Sequence, residues 1–393
     1  MYNDINDITA NEALKTIMRI LYPYNEILPK KIAHDVYIAR NCASLAAAGC
    51  SVELLCGVGS LSPAELADHY NLEPVAGLSW KTLPILRKNL GLPFTWNGLF
   101  FWGTQHYIRQ TRPDCVVLSV LKQGAFQLSR KIPGVKYVYE VHELAWYPGR
   151  EGTDARVVER IGVEREMFSK ADVITVTTAA LRDILLSPPY SVRTPVVVVP
   201  LAVDMAPLPA VSGISGDLEI MYVGQMYQGQ GVELLLDALT LTCGVRLVLV
   251  GGKPEEVSDL KRLSAKLGIS EKVTFTGFIA PGKLSDVAAR CHALVAPFSA
   301  TGRMPFVAHT KLGEYVAWQR PVIAPDLPVT REHFATSGGW IPFDADNAHS
   351  LATAMQSLKS ADNYRCHAEA CRSHHVVTWS MRSKMYLEIL NCL

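Results

Sequence analysis

Short apolar runs alternate along the chain with longer segments of helical periodicity. Continuous apolar runs predict strands that are buried on both faces, as in parallel sheets. The first series of runs lies at 16–22, 51–57, 114–120, 135–142 and 172–178. The second lies at 195–201, 218–224, 245–251, 273–277, 293–298 and 321–325. Helical patterns fit between the runs, notably at 35–48, 231–240 and 311–318. This alternation predicts two doubly wound, parallel α/β sheets.

The segment from Leu201 to Gly216 is rich in proline, glycine and serine and is the predicted hinge. A chain of 393 residues is long enough for two domains. We therefore expect one Rossmann-like domain over 1–200 and a second over 201–375. Residues 376–393 are predicted to form a helix that packs back on the first domain.

The composition excludes several classes of protein. Hydrophobic residues make up 49% and charged residues 19%, which argues against a disordered chain. The net charge of +1 lacks the basic excess of a nucleic-acid binder.

The nine cysteines form no CxxC pair, and we expect them to be reduced. The first residues lack a signal-peptide pattern and no apolar run nears the 20 residues of a membrane span, so we expect a cytoplasmic protein, at most peripheral at the inner face of the membrane.

Several motifs of the second half resemble one enzyme family. The segments 221–239, 274–298 and 310–334, with Glu314 and the later Arg331-Glu332, are similar to the donor domain of glycosyltransferase family 4. The segments 137–146, 196–204 and 376–390 occupy the corresponding places elsewhere in the chain. The resemblance implies a GT-B fold, in which two Rossmann-like domains face each other across a cleft and the last helix crosses back to the first. It also implies a retaining, metal-independent hexosyltransferase of polysaccharide biosynthesis. The donor would be a UDP- or GDP-sugar, and the acceptor a glycan, a lipid-linked sugar or a small molecule.

The resemblance assigns the nucleotide-sugar to named residues. Glu314 matches the second glutamate of the family's E-x7-E pattern and would hold the ribose hydroxyls. The first glutamate is replaced by Phe306, which leaves the backbone N–H groups of Val307, Ala308 and His309 to contact the sugar. By the same resemblance, the nucleobase and ribose are lined by Gly251, Gly277 and Phe278.

The diphosphate region departs from the family. Gly224 follows the strand 218–224, but Gln225 and Gln230 stand where relatives have an arginine and a lysine that clamp the diphosphate. Cations stabilise the negative charge that develops on the leaving group. Lys311 and Arg303 are the predicted replacements, and the alternative is weak or absent turnover.

His142 ends the predicted strand 135–142, where relatives often have a histidine near the sugar and phosphate. It is the third predicted catalytic residue beside Lys311 and Arg303, and its alternative is a core histidine. On the acceptor side we expect Glu143 and the basic loop that carries Lys31 and His34. The simpler alternative is that this loop only precedes the helix that begins near Asp35.

Two further segments have alternative interpretations. The triplet Asp344 to Asp346 suggests a metal ligand, but its surroundings favour a turn followed by a capped helix, and we expect no metal and no cofactor. The segment 80–96 mixes tryptophan with basic residues, which suits peripheral contact with an anionic membrane, whereas 100–109 fits a core-facing helix.

Three functions fit the sequence. The first is an active retaining glycosyltransferase. The second is a GT-B protein that has lost transfer chemistry and binds a sugar nucleotide or partners an active paralogue. The third is a sugar-nucleotide epimerase, which fits the sequence pattern less well.

Overall fold

The computed structural model divides the chain into two compact units. It describes residues 17–29, 33–59, 61–70, 72–86, 96–149, 154–211, 213–227, 229–280, 283–335, 338–373 and 376–393. The first unit runs to Glu140 and includes Glu166–Ile174 and Ser383–Leu393, and the second comprises Val141–Arg165 and Thr175–Arg382. The boundaries at 200 and 375 remain a prediction.

Thirteen strands in the described part of the chain form two sheets. The first seven are β1 (Arg19–Pro23), β2 (Ser51–Gly57), β3 (Leu78–Leu83), β4 (Cys115–Leu118), β5 (Lys136–Val141), β6 (Val173–Val176) and β7 (Val196–Val198), in the order β3-β2-β1-β4-β5-β6-β7. The other six are β8 (Leu218–Gly224), β9 (Val245–Gly251), β10 (Val273–Gly277), β11 (Ala293–Val295), β12 (Val322–Pro325) and β13 (Trp340–Phe343), in the order β10-β9-β8-β11-β12-β13. The strand pairs are parallel. The prediction of two parallel, doubly wound sheets is confirmed.

Helices follow the strands in both halves. Those of the first half are α1 (Ala33–Ala47), α2 (Pro63–His69), α3 (Gly98–Thr111), α4 (Leu121–Leu128), α5 (Ala155–Lys170) and α6 (Ala179–Leu186). Those of the second half are α7 (Val232–Thr240), α8 (Pro254–Lys266), α9 (Leu284–Ala288), α10 (Thr310–Ala317), α11 (Pro328–His333), α12 (Ala348–Ser357), α13 (Ala361–Ala370) and α14 (Trp379–Asn391). Short 3-10 turns occupy Ser270–Lys272 and Cys371–Ser373.

Two edge strands were absent from the sequence prediction. The strand β3 is largely exposed, with an alternating burial pattern, and therefore lacks the continuous apolar run of a central strand. The strand β13 contains Pro342, and proline is tolerated at a sheet edge because a ladder hydrogen bond is not needed there. Neither strand contains the long apolar run from which the other strands are predicted.

The first strand of each sheet carries a tyrosine at an equivalent position. Ile20 pairs with the first residue of β4, and Ile220 pairs with the first residue of β11. Tyr22 and Tyr222 follow two residues later, and both are completely buried. In each sheet the strand order reverses beside this strand, and such a reversal is the usual place for a ligand at the carboxyl ends of the strands.

Other sequence expectations have definite outcomes. Asn347 accepts a hydrogen bond from the Ser350 N–H at the start of α12, which confirms the capped helix after the acidic triplet. Phe100 and Phe101 are buried on α3, which confirms a core-facing helix there. The described cysteines form no disulfide, and six of the nine are buried.

The membrane-contact segment is only partly visible. Trp80 lies in β3 and Trp96 is half exposed, but residues 87–95 lie outside the described part of the chain. Among the described residues, no helix has both the length and the apolarity to cross a bilayer. Peripheral contact with a membrane remains a prediction.

Candidate functional site

The reversal point of the second sheet holds a lysine ammonium group. Lys311 lies in the first turn of α10, and its Nζ donates to Gln230 Oε1 at 2.9 Å and to the Tyr222 hydroxyl at 3.1 Å. The same Nζ lies 4.3 Å from the ring centroid of Tyr222 and 5.1 Å from that of Phe298. Both rings therefore present their π systems to the cation. We call Lys311, Gln230, Tyr222 and Phe298 the ammonium cluster.

Burial weakens the proton affinity of this lysine. Desolvation lowers the pKa of Lys311 to about 7, against the attraction of the Glu314 carboxylate, which raises it. Gln230 is itself buried, at 7% exposure, and its amide nitrogen donates to the Tyr227 hydroxyl at 2.9 Å. An anion that approached the ammonium group would therefore restore its charge and hold it.

Glycines bring the backbone close to the ammonium cluster. Gly224 ends β8 with φ +146°, and a Cβ at this position would lie 3.0 Å from Lys311 Nζ. Gly251 is its register partner in β9, where a Cβ would lie 2.4 Å from the Gly224 carbonyl oxygen. At the start of α7, a Cβ on Gly231 would meet the carbonyl oxygen of Pro297 at 1.6 Å. Glycine at these positions therefore lets the backbone segments and the Lys311 side chain pack closely together.

His309 lies beside the ammonium cluster. Its ring stacks on Phe298 with centroids 3.7 Å apart, and Nε2 lies 2.8 Å from the carbonyl oxygen of Met304. Burial, together with the nearby charges of Lys311 and Arg303, lowers the pKa of His309 to about 4, although its hydrogen bond with Met304 acts in the opposite direction. The imidazole is therefore neutral at physiological pH. Since a carbonyl can only accept, Nε2 carries the hydrogen and Nδ1 the lone pair.

Arg303 forms part of a chain of charges within the second unit. Its Nη1 lies 2.8 Å from Glu143 Oε2, and Glu143 Oε1 lies 3.6 Å from Arg160. Arg160 also donates to Glu164, a buried carboxylate that accepts from the Tyr190 hydroxyl at 2.6 Å. About half of the Arg303 and Glu143 side chains is exposed. The predicted catalytic Arg303 and the predicted acceptor-side Glu143 thus lie together.

Phe306 stands where the family has its first glutamate and is held from two sides. Its ring stacks on Tyr147 with centroids 5.8 Å apart, and its carbonyl accepts from the Thr178 hydroxyl at 2.6 Å. The N–H of Val307 donates to the Arg303 carbonyl, so this amide is engaged inside the loop rather than with a ligand.

Other predicted donor residues stand outside the ammonium cluster, although two of them interact with it. Gln225 is exposed, although its carbonyl accepts from the Tyr222 hydroxyl. Glu314 is exposed one turn after Lys311 on α10. Gly277 ends the edge strand β10, and Phe278 after it is 76% exposed.

The first unit has its own polar cluster at the end of β1. The Tyr22 hydroxyl donates to Glu140 Oε2 at 2.9 Å, and the Tyr37 hydroxyl donates to the other oxygen of this buried carboxylate. His34, which the sequence predicts on the acceptor side, contacts the rings of Tyr24 and Tyr37 with its own ring. The Tyr24 hydroxyl donates to the buried Asp35 carboxylate at 2.7 Å. Lys31 lies outside the described residues, and His142 is partly buried directly after β5.

Sequence reasoning missed the tyrosines and Phe298. Tyr22 and Tyr222 occupy one position in two strands of the same architecture, and aligning the two halves by their first strands would have found that signal. Phe298 directly follows a strand that ends at a reversal point, but its contact with Lys311 depends on the course of the loop before α10.

A cavity of about 160 Å³ lies on another side of α10. Its walls include the end of β6, the segment Pro200–Val203, the start of α10, the end of α11 and residues 376–377. All of these residues belong to the second unit. We call this space the α10 cavity. Ala308 and His309, two of the predicted sugar-binding residues, line it.

Comparison with known proteins identifies the class. A model of the glycosyl transferase 4-like domain matches residues 34–202, and a model described as glycosyl transferases group 1 matches residues 217–360. No curated protein sequence matches the chain.

Solved structures with the same fold cover nearly the whole chain. A sucrose-phosphate synthase from Thermosynechococcus elongatus has 16% identity and a TM-score of 0.74 over 96% of this chain and 100% of its own. A glycosyltransferase from Rickettsia africae has 15% identity and a TM-score of 0.72 over 96% and 98%. Anabaena Alr3699/HepE, solved in complex with UDP, has 14% identity and a TM-score of 0.72 over 96% and 100%. At these identities the likeness establishes the fold, which is GT-B. The two domain matches show that the chain belongs to the glycosyl transferases of group 1.

Proposed function

We propose that the protein transfers a hexosyl group from a UDP-sugar, with Lys311 as the cation that binds the diphosphate. The ammonium cluster carries this proposal, because it places a cation at the reversal point of a Rossmann-like sheet, which is the usual place for a ligand. Anabaena HepE, which shares the fold, is solved with UDP and with UDP-glucose, and this supports a uridine donor over a guanosine one.

The chemistry requires charge at this place. When the sugar–phosphate bond breaks, negative charge grows on the diphosphate, and a preorganised cation stabilises it. Gln230 and Tyr222 fix Lys311 by two hydrogen bonds, so little reorganisation is needed. Glu314, one turn later, would accept hydrogen bonds from the ribose hydroxyls. Lys311 thus replaces the cations missing at positions 225 and 230.

Retention of configuration and independence from metal ions are part of the proposal. The family resemblance supports retention, and the ammonium group of Lys311 supplies charge that a divalent cation supplies in other transferases. We expect turnover to persist in excess EDTA. Restoration of a lost activity by Mg²⁺ or Mn²⁺ would contradict the metal-independent part.

The acceptor is proposed as a class only: a glycan, a lipid-linked sugar or a small molecule, used in polysaccharide synthesis in the cytoplasm or at the inner face of a membrane. His142, Arg303, Glu143, His34 and Lys31 remain candidate residues for the sugar and the acceptor.

A test of the function begins with binding and proceeds to turnover. Isothermal titration with UDP, GDP and ADP identifies the preferred base. Comparison of UDP with uridine gives the contribution of the diphosphate to the binding free energy. Incubation with UDP-glucose or UDP-galactose, followed by proton NMR, detects released or transferred sugar and its anomeric configuration. We expect UDP to bind more tightly than uridine and the first product to retain the configuration of the donor. No binding of any nucleotide would refute the proposal.

A second candidate function has a specific observation in its favour. Phe306 stacks on Tyr147 where a sugar-binding glutamate stands in relatives, and both clamp positions are glutamine. A protein that binds UDP-sugars without turnover, as a partner of an active paralogue, fits these changes. Tight UDP-sugar binding without hydrolysis or transfer over a day would favour it. Appearance of an epimerised sugar without an acceptor would instead indicate an epimerase.

A further inference from the structure

The α10 cavity has room for a sugar ring. A cavity needs about 10–15 Å³ to hold one water molecule, so about 160 Å³ admits roughly ten water-sized groups. That is close to the size of a hexose. Pro200, Leu201, Val203, Val376 and Val377 contribute apolar surface, and polar side chains contribute the remainder. Ligand pockets commonly combine an apolar lining with a few placed polar groups.

Thr177 is the first of these polar groups. It follows β6, lines the cavity and is only 5% exposed. Its hydroxyl makes no hydrogen bond with any residue in the described ranges, whereas the neighbouring Thr178 hydroxyl binds the Phe306 carbonyl and caps α6. A threonine hydroxyl can both donate and accept a hydrogen bond. Because Thr177 lines the cavity, its hydroxyl is available to a group that binds there.

Glu332 supplies a second group. Its Oε1 accepts the Ala179 N–H at 2.7 Å and so caps α6. In the part of the chain that the structure describes, Oε2 makes neither a hydrogen bond nor an ion pair. A carboxylate oxygen is purely an acceptor and therefore selects a ligand that donates.

His309 supplies a third. With Nε2–H bound to Met304, the lone pair of Nδ1 is an acceptor. Its ring also touches Phe298, which in turn faces the Lys311 ammonium group. The α10 cavity and the ammonium cluster are therefore neighbours, because His309 of the cavity wall stacks on Phe298 of the cluster.

We infer that the α10 cavity is a subsite for a pyranose ring, whose hydroxyl groups bind Thr177, Glu332 and His309. A sugar fits because it donates several hydrogen bonds and has apolar C–H faces for the valine and leucine walls. This inference rests on the proposed function, since a sugar beside a diphosphate site belongs either to the donor or to the acceptor. Thr177 and Glu332 are then specificity-determining residues.

The experiment uses D-glucose, D-galactose and D-mannose as probes. Their affinities are measured by ligand-observed NMR, with and without saturating UDP, and the affinities for UDP and UDP-glucose are measured by titration. Thr177→Val keeps the shape of the side chain and removes the hydroxyl. Glu332→Gln keeps Oε1 for the α6 cap and replaces Oε2 with an amide that donates. Thr274→Val, on the exposed face of β10, is the matched control.

We expect both cavity variants to bind UDP as the wild type does and to lose about tenfold in affinity for one of the sugar ligands. A loss for UDP-glucose alone identifies the donor sugar as the occupant, and a loss for a free sugar identifies the acceptor. Unchanged affinities for all four sugar ligands, or no binding of any free sugar at 100 mM together with an unchanged ratio of UDP to UDP-glucose affinity, would overturn the inference. A wild type that binds free sugars in the cavity but no nucleotide would refute only the proposed function.

Discussion

Tyr22 and Tyr222 occupy the same position in two sheets of the same strand order, yet they bind groups of opposite charge. Tyr22 donates to the carboxylate of Glu140, which comes from β5. Tyr222 accepts from the ammonium group of Lys311, which comes from α10. The fold fixes the tyrosine, while a residue from another element decides the sign of the charge. One architecture therefore yields an internal acidic cluster in the first unit and a cationic cluster in the second, which is the proposed diphosphate site.

The largest expected effect comes from removing the cation. Lys311→Met keeps an unbranched chain but loses the charge, and hydrogen bonds to charged groups contribute about 1.5–3 kcal/mol each. We expect UDP affinity to fall about 100-fold and uridine affinity to remain nearly unchanged, as measured by titration calorimetry. Lys266→Met, at the exposed end of α8, is the control. If the affinities for UDP and uridine fell equally, Lys311 would not be the residue that binds the diphosphate.

The next effect is the dependence on pH. Because the pKa of Lys311 is lowered to about 7, the ligand-free ammonium group loses its proton above this pH, and UDP must restore it. We expect UDP affinity to fall about tenfold per pH unit from 7.5 to 9, with uptake of up to one proton. Titrations in buffers of different ionisation enthalpy measure that uptake. A slope that persists in Lys311→Met would assign the titration to another group.

Stability of the ligand-free protein should change in the opposite direction. The unfolded chain, with an ordinary lysine pKa near 10.4, holds more protons than the native state between about pH 7 and 10. The contribution of Lys311 to the free energy of unfolding therefore grows with pH over this window. Denaturant titrations of wild type and Lys311→Met should diverge there, and parallel curves would contradict the lowered pKa.

A matched pair of smaller substitutions sharpens the comparison directly. Tyr22→Phe leaves the buried Glu140 short of a donor, and we expect a loss of about 1–3 kcal/mol in unfolding free energy without a change in UDP affinity. Tyr222→Phe removes a group that positions Lys311, and we expect UDP affinity to fall about threefold to tenfold. Urea unfolding and UDP titration of both variants provide the measurements. If both variants lost UDP affinity alike, the contrast between the two clusters would fail.

The smallest effect concerns the exposed pair of Arg303 and Glu143. Exposed ion pairs contribute about 0–1 kcal/mol, so Glu143→Gln should hardly change stability. If Arg303 binds phosphate, its release from Glu143 should raise UDP affinity up to about threefold, and Arg303→Ala should lower it. Unchanged UDP affinity in both variants would show that Arg303 does not bind the phosphate and has only a structural role in its loop.

The sequence was informative where a pattern is local. The strands β8, β9 and β10 were predicted to the residue, because each is a continuous apolar run that ends in glycine. The sequence also indicates Lys311 and Gln230 as site residues. It shows Gln230 only as the replacement of a family lysine, whereas in the structure Gln230 accepts a hydrogen bond from Lys311. The pairing of Arg303 with Glu143 joins residues 160 positions apart, and the α10 cavity joins five segments. Such contacts depend on loop paths that no local pattern encodes.

Phe298 has a practical consequence for anyone who wishes to redesign the substrate range of this enzyme. Its ring contacts the Lys311 ammonium group and the His309 imidazole, so a substitution there would disturb the proposed diphosphate site and the proposed sugar subsite together. Libraries that vary Thr177 and Glu332 but keep Phe298 would change the proposed sugar subsite without altering the proposed diphosphate site.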